Sequence, residues 1–543
     1  MNETRVNKIF KNGMIYTLDN KNSWAQAMIV AADRLIYVGS NEGAESWIDA
    51  GGEVIDLEGR LVLPSFVEAH AHPSHAVDFF ENISLYQLTS VDQYREKILE
   101  YTADHPDQLV YRGNGWDNTL FPLHGPGKEI LDAIVPDKPL VLISYDYHSM
   151  WVNTAMLAFS GITRDTPNPD GGIIERDSQT GEPSGTLRET AMKLVEAVLP
   201  DFSLEDKVNT LISYQKMAFA SGVTMCHDAM LDEDTLAGYK ALAAAGALEM
   251  IFRGSIAIEP DKPIGEQIEM LLDERANNKN PKFQTNTAKL FVDGVVEGGT
   301  AYLLEPYSNQ SAYYGELIWE PGVLKEVCTA LDKEQIQVHM HVIGDGAARI
   351  ALDALEHAQQ QNGKRDARHL LTHLQLVTPQ DIKRFKQLGI VGVPNPFWFK
   401  VDEYYSTLAL PYLGAERANQ QYPMRSFLDA GVCMASASDF PVTIPFDPLI
   451  GIELGVTRSP VGTVTDEILW PEEKASLEQM ITSFTINGAY ANFLENETGT
   501  LEVGKQADFI VLDQNLFEIE ASEISTTKIL NTYLQGEEVF QAE

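Results

Sequence analysis

Basic residues are scarce. Lys and Arg together number 40 against 79 Asp and Glu, a formal net charge of −39 over 543 residues. A surface so acidic repels nucleic acid and anionic membrane, which removes both from the expected partners. Cysteine is scarcer still: Cys226, Cys328 and Cys433 are three, an odd number, and far apart. They cannot make a disulfide framework, and they fit a reducing cytoplasm, the expected location. No run approaches the roughly 20 apolar residues of a membrane span. The opening residues, MNETRVNKIFKNG, lack the apolar core of a secretory signal, so none is expected. Hydrophobic content is an ordinary 44%, and the length suits several domains or one large barrel with additions.

Both ends of the chain have β texture. KIFKNGMIYTLD, AQAMIVAADRLIYVGS and GGEVIDLEGRLVLP near the start, and TGTLEVGKQADFIVLDQN and ILNTYLQGEEVFQ near the end, are short β-prone runs broken by Asn-Gly, Ala-Asp and Gly turns. Residues 1–60 and 491–543 are therefore expected to assemble one small β-sandwich. The middle alternates apolar runs with helical patterns, the mark of a parallel α/β domain. Eight candidate strands, RLVLPSFVEAH, GVTMCHD, LEMIFRGSI, AKLFVDG, IQVHMHVIGDG, LLTHLQ, GIVGVPNP and GVCMASASD, fit a (β/α)8 TIM-like barrel. GAARIALDALEHAQQQ and TPQDIKRFKQL are helix candidates between them. The first barrel strand falls in 61–75 and the rest of the barrel in 206–490. Residues 76–205 are too many for one crossover helix and predict an inserted subdomain that roofs the active site. Its turn-rich TPNPDGGIIERDSQTGEPSG predicts an exposed hairpin. No internal repeat or low-complexity tract is present.

LPSFVEAHAHPSH, Leu63 to His75, holds three of the twelve histidines. On a strand, residues two apart share a face, so His70 and His72 stand side by side. The carboxyl ends of the other candidate strands, where barrel enzymes keep their chemistry, carry Lys289 and Asp293, His339 and His341, His373, and Asp439 in ASASDFP. Imidazole and carboxylate are the ligands of zinc and similar divalent ions. Taken singly, each has a plainer role: a hydrogen-bonded core histidine, a helix-capping Asp439, a Lys289 snorkelling from an apolar strand. Two His-x-His pairs, a further His and an Asp at successive strand ends favour a metal centre.

These residues resemble the metal-dependent amidohydrolase superfamily, in particular its N-substituted formamide deformylase-like branch. The resemblance runs nearly end to end through LVLPSFVEAHAHP, GWDN, DYHSMWVN, GTLRET, SGVTMCHDA, KLFVDG, HVIGDGA, THLQLVTP, SASDFPV and GTLEVGKQADFIVLD. It implies a (β/α)8 barrel with a β domain from both termini, and one or two divalent metals, zinc first among the candidates. His70, His72 and Asp439 would hold one ion and His341 and His373 a second. Lys289, carboxylated by carbon dioxide, would bridge them; a bare ammonium cannot ligate a cation. Ser65 and Glu68 stand where the family often has Gly and Asp. Glu68 shares the His70 face, as an orienting partner or a tolerated change. Cys226, beside His227, is the rival bridging ligand and otherwise a small buried hydrophobe.

The implied reaction is hydrolysis of a C–N bond in a small amide-type substrate, through a metal-bound hydroxide. Asp439 would take the water proton and pass it to the leaving nitrogen. From DYHSMWVN, His148 would donate to the substrate carbonyl, or tie the insertion to the barrel. Trp116 is a pocket wall or a buried aromatic. Arg188 binds a substrate carboxylate or pairs with an acid such as Glu189. Trp398, in NPFWFK, lines an apolar pocket or packs a loop. The alternatives are isomerisation or decarboxylation on the same metal barrel, and a non-catalytic regulator, which would be expected to have lost a ligand. Relatives of this kind are often homodimers.

Overall fold

A computed structural model describes residues 6–543 except 22, 49–50, 87, 123, 145–148, 170–171, 297, 464 and 466, and all side chains of these but that of residue 119. The chain divides into two units: residues 1–72 with 214–543, and the insertion, 73–213. The sequence alone had set the insertion at 76–205; the helix Leu204–Ala220 carries the chain across its far boundary.

Unit 1 begins and ends in two sheets. A four-stranded sheet has the order Arg34–Gly39, Ala27–Ala31, Lys8–Lys11, Glu53–Asp56. A six-stranded sheet has the order Glu537–Gln541, Ile529–Leu534, Phe509–Leu512, Leu61–Pro64, Met14–Tyr16, Trp24–Ala25. Leu61–Pro64 pairs with a strand from each terminus, parallel to Met14–Tyr16 and antiparallel to Phe509–Leu512. Phe10, Met28 and Val30 from one sheet share an apolar core with Val62, Phe509, Val511 and Tyr533 from the other. Phe509 stacks on Tyr533 at 4.5 Å and meets Phe10 edge-on at 5.0 Å. Each such pair adds about 0.5–1.5 kcal/mol beyond the buried area.

RLVLPSFVEAH, expected as one strand, is two. Leu61–Pro64 belongs to the terminal sheet and Phe66–Ala71 to the barrel. The break is at Ser65, whose N–H turns to the Asp508 carbonyl and whose Oγ meets Thr224 Oγ1 at 2.6 Å. A continuous apolar run hides such a change of sheet, because every residue on both sides of it is buried.

The barrel is mixed α/β with a parallel ring. Its strands are Phe66–Ala71, Val223–Leu231, Ile251–Ala257, Phe283–Phe291, Gln337–Val342, Leu370–His373 and Val391–Pro394, each parallel to its neighbour. We number them first to seventh. The expected eighth strand, GVCMASASD, makes only one parallel bridge, Gly392 to Met434. The segment still closes the ring through backbone bonds. Ala435 and Ala437 donate to Gly392 and Pro394 on one side; on the other Asp439 donates to His70 at 3.0 Å, and His72 to Phe440 at 2.7 Å. Its small residues, and the Ser436 N–H drawn to Ser483, keep it from running as regular strand.

Both helix candidates are present, as Asp345–Asn362 and Pro379–Leu388. In the second, Thr378 accepts the Asp381 N–H as N-cap, and Gly389 ends the helix at φ 72°, a conformation glycine adopts without strain. Unit 2 is a six-stranded sheet, in the order Gly172–Arg176, Pro183–Glu189, Ser149–Val152, Leu140–Ser144, Tyr111–Trp116, Ile83–Ser84. Gly172–Arg176 and Pro183–Glu189 form the expected hairpin. No helix among the described residues is long and apolar enough to cross a membrane.

Candidate metal centre

The carboxyl ends of the barrel strands bring together His70, His72, Lys289, His341, His373 and Asp439, all within unit 1. Ligand atoms of His70, His373 and Asp439, three buried residues, lie within 4.8 Å of one another. Asp439 Oδ1 is 3.2 Å from both His70 Nε2 and His72 Nε2. The His373 ring centroid is 4.5 Å from that of His341 and 5.1 Å from that of His70. His373 therefore groups with His70 and Asp439 as well as with His341, whereas it was expected beside His341 alone.

Two of these side chains sit on strained backbone. His373 has φ 73° and Asp439 φ 67°, left-handed conformations that cost a non-glycine residue about 1–3 kcal/mol each. His373 ends the sixth strand, and Asp439 lies at the end of the irregular segment that closes the ring.

Hydrogen bonds fix which ring nitrogen is available. His341 Nε2 lies 3.1 Å from the Gly294 carbonyl, which can only accept, so Nε2 carries the proton and Nδ1 is bare. Asn395 Nδ2 donates to the Ala437 carbonyl, so its Oδ1 accepts from His373 Nδ1 at 2.8 Å, leaving His373 Nε2 bare. A second nitrogen tied to an acceptor is what orients histidine ligands in metal sites.

Charge is arranged accordingly. Burial pulls His70, His341 and His373 down, His373 to about 4, and the nearby Lys289 adds to the effect. All three are neutral at pH 7. Although burial opposes it, the imidazoles around it, His72 and His373 among them, hold the Asp439 carboxyl well below the usual carboxylate range. Burial also lowers the Lys289 amine to about 7, partly offset by Asp439. Lys289 Nζ is buried 4.9 Å above the Phe291 ring and, among the described residues, has no hydrogen-bond partner. Asp439 Oδ1 and His70 Nε2 are likewise buried and make no hydrogen bond among the described residues. Buried polar atoms are rarely left so. Neutral imidazoles, an ionised carboxylate and orphaned lone pairs together fit a divalent cation.

The other expected residues are placed as follows. Trp398, half-buried after the seventh strand, stacks on His373 at 5.5 Å and 20°, and its indole N–H donates to Thr443 Oγ1 at 3.0 Å. Its flanking Phe397 and Phe399 are buried. Trp116 is fully buried in the core of unit 2, against Phe121 and Trp151, with its N–H on the Leu142 carbonyl. Of its two expected roles, pocket wall or buried aromatic, these contacts are those of the second. Arg188 pairs with Glu175 across the hairpin at 2.9 Å and donates to Ser149 Oγ at 3.1 Å, the ion pairing that was one of its two expected roles. His148 lies outside the described residues.

Among the described residues, the side-chain hydrogen bonds of Glu68 go to main-chain N–H groups and not to an imidazole. Glu68 accepts the backbone N–H groups of His70 and Ser438. Cys226 is fully buried, its thiol pushed up by burial, and takes no part in the ligand group among the described residues. Asp293 is a loop tie: it accepts the N–H groups of Tyr302, Ile343 and Gly344. His339 was visible only as the partner of His341 in HMH. It sits deeper, with Nε2 2.8 Å from His70 Nδ1. His227, Ser255 and Asn492 extend that contact inward, and no sequence pattern marked Ser255 or Asn492.

Comparison with known proteins agrees with this geometry. The model of a family described as the amidohydrolase family matches residues 53–540. Protein LONG AFTER FAR-RED 3 of Arabidopsis thaliana is 28% identical over 538 residues, covering 97% of this chain and 91% of that protein. N-substituted formamide deformylase of Arthrobacter pascens is 28% identical over 537 residues, covering 97% and 96%. The crystal structure of an uncharacterized metal-dependent hydrolase from Pyrococcus furiosus superposes with a TM-score of 0.75 at 25% identity, covering 94% and 99%.

Proposed function

The chain belongs to the amidohydrolase family, and from that premise we propose that it hydrolyses a carbon–nitrogen bond of an amide, N-formyl or N-acyl compound. The observation that carries this reading is the convergence of His70, His373 and Asp439 within 4.8 Å, with His70 Nε2 and Asp439 Oδ1 buried and, among the described residues, making no hydrogen bond. The formamide deformylase among its relatives supports the choice of bond.

His70, His72, His373 and Asp439 would hold one divalent cation, zinc first among the candidates, and His341 would help hold a second. When bound, the cation supplies a Lewis acid that polarises the scissile carbonyl and acidifies water. Asp439, ionised and buried, accepts the proton of the attacking water and returns it to the departing nitrogen. Neutral His341 and His373 add no positive charge of their own to repel the ion. The Lys289 amine, held near neutrality by burial, attacks the carbon of carbon dioxide and loses a proton to solvent. The product is an anionic carbamate whose two oxygens supply the ligands an ammonium lacks. Trp398, stacked on His373, offers an apolar wall to the substrate's nitrogen substituent.

The test is elemental analysis of protein purified without chelator, run alongside amine release from N-formyl and N-acyl amines. One or two divalent ions per chain with amine release is the expected result. No bound metal, and no amine release after adding zinc and bicarbonate, would overturn the reading.

A further inference from the structure

Beneath the candidate ligands, a line of buried polar side chains crosses the barrel interior. His70 Nδ1 stands 2.8 Å from His339 Nε2, and His339 Nδ1 3.2 Å from Ser255 Oγ. Ser255 Oγ is 2.7 Å from His227 Nε2, and His227 Nδ1 is 2.7 Å from Asn492 Oδ1. Asn492 Nδ2 ends the line on the Gly488 carbonyl at 2.9 Å. His70, His227, Ser255 and His339 are fully buried and Asn492 is 6% exposed.

The direction of each bond follows from the next one along. A main-chain carbonyl only accepts, so Gly488 turns the Asn492 amide with Nδ2 toward itself and Oδ1 toward His227. An amide oxygen also only accepts, so His227 carries its proton on Nδ1. Nε2 of that neutral ring is then an acceptor, and Ser255 must give its single hydroxyl proton to it. With the proton so committed, Ser255 Oγ accepts from His339, whose proton is on Nδ1. His339 Nε2 in turn accepts from His70 Nδ1–H, and His70 Nε2 is left bare.

The opposite sense fails at its first link. Flipping the amide sets two oxygens together at Gly488, and reversing the rings alone sets two acceptors together between His227 and Asn492. A buried group left unmatched costs about 1–3 kcal/mol. The direction holds for neutral rings, and their surroundings keep them so: burial pulls His227 down to about 4. The anchor is itself fixed. A Cβ on Gly488 would fall 2.6 Å from the Val67 side chain, so this helix turn lies directly against the first strand.

We propose that His339, Ser255, His227 and Asn492 are positioning residues. They form a one-way hydrogen-bond relay, anchored at the Gly488 carbonyl, that locks His70 in its Nδ1–H tautomer with the Nε2 lone pair presented to a divalent cation. The inference rests on the reading of His70 as a metal ligand. Its other consequence lies at Asp439, whose Oδ1 faces His70 Nε2 at 3.2 Å. Two acceptors at that distance repel, and a cation bound to both makes the pair attractive. The usual orienting partner of such a histidine is a carboxylate, carbonyl or water. Here it is a neutral imidazole, so the ligand is oriented without adding negative charge beneath the site.

Histidine ring 15N spectra of the full-length, zinc-loaded chain distinguish protonated from bare nitrogens. His227 and His339 are expected to carry their protons on Nδ1. Ser255→Ala cuts the relay, and zinc affinity measured by competition with a chelator should fall roughly 10–100-fold, while Ser255→Thr, which keeps the hydroxyl, recovers most of it. Asn492→Leu removes the acceptor at the far end and should weaken zinc binding in the same direction. Unchanged zinc affinity in folded Ser255→Ala, even with a lower melting temperature, would overturn the proposal and leave these residues a structural role. Zinc binding with a proton on His227 Nε2 overturns the relay and spares the metal reading. No zinc binding with both tautomers as assigned overturns the metal reading and upholds the relay's direction.

Discussion

Glu68 reaches across the closure of the barrel to Ser438, accepting its backbone N–H with carboxyl oxygens at 3.0 and 3.1 Å. The contact joins the strand that bears His70, and that His72 follows, to the residue before Asp439. Burial pushes the Glu68 carboxyl up to about 8, against the pull of the Ser438 and His70 donors, so it is largely protonated at pH 7. Glu68→Gln keeps an acceptor and a donor of the same shape and should leave the melting temperature and kcat near those of the parent. Glu68→Ala strands the buried Ser438 N–H, at a cost of about 1–3 kcal/mol, and frees Asp439 to shift. Thermal denaturation and kcat should both fall in Glu68→Ala; an alanine variant as active as the glutamine one would contradict the tie.

Lys289 offers a direct count. If its carbamate bridges two ions, Lys289→Met removes the bridging oxygens and elemental analysis should find fewer metal ions per chain than in the parent. Parent protein equilibrated with 13C-bicarbonate should show a carbamate carbon signal that the variant lacks. Equal metal content and no carbamate signal would make Lys289 an unmodified buried amine.

Trp398 stacks on His373 and bonds Thr443. Trp398→Phe keeps the ring face and loses only the N–H, so KM and metal content should change little. Trp398→Ala loses an aromatic contact of about 0.5–1.5 kcal/mol, up to roughly tenfold, and that loss should appear in KM. A loss of metal without a change in KM would instead make Trp398 a support for His373.

The parts of this fold and site that were legible in the sequence are those with local signatures. The shared face of His70 and His72 follows from a period of two, and Lys289, His341, His373 and Asp439 were marked by their places near the ends of apolar or small-residue runs. Positions set by long-range contacts left no such trace. The eighth stave is held by backbone bonds to Gly392, Pro394 and His70, not by strand propensity. The division at Ser65 depends on Asp508 and Thr224, distant in sequence. Asn492 meets His227 across 265 positions. Trp116 fits a pocket wall and a core equally well by residue type, and only its contacts with Phe121 and Trp151 decide between them. Glu175 could not be picked out as a partner of Arg188 without the hairpin register.

Asp508 gives a test of stability against pH that is independent of the metal. It is 2% exposed in the terminal sheet, where its Oδ1 accepts the Gln535 N–H at 2.7 Å and its carbonyl accepts the Ser65 N–H at the sheet-to-barrel junction. Burial pushes the carboxyl up to about 6, against about 3.9 in an unfolded chain. The folded state thus binds this proton more tightly than the unfolded state. Its contribution to stability is complete below about pH 4 and is lost as pH rises through about 6. Two pKa units correspond to about 2.7 kcal/mol. Asp508→Asn accepts the same Gln535 N–H and has no proton to lose. Relative to the parent, its melting temperature should therefore climb between pH 4 and 6 and level off above 7. A difference that stays flat from pH 4 to 8 would mean that Asp508 is ionised in the folded protein throughout, stabilised by its N–H donor despite its burial.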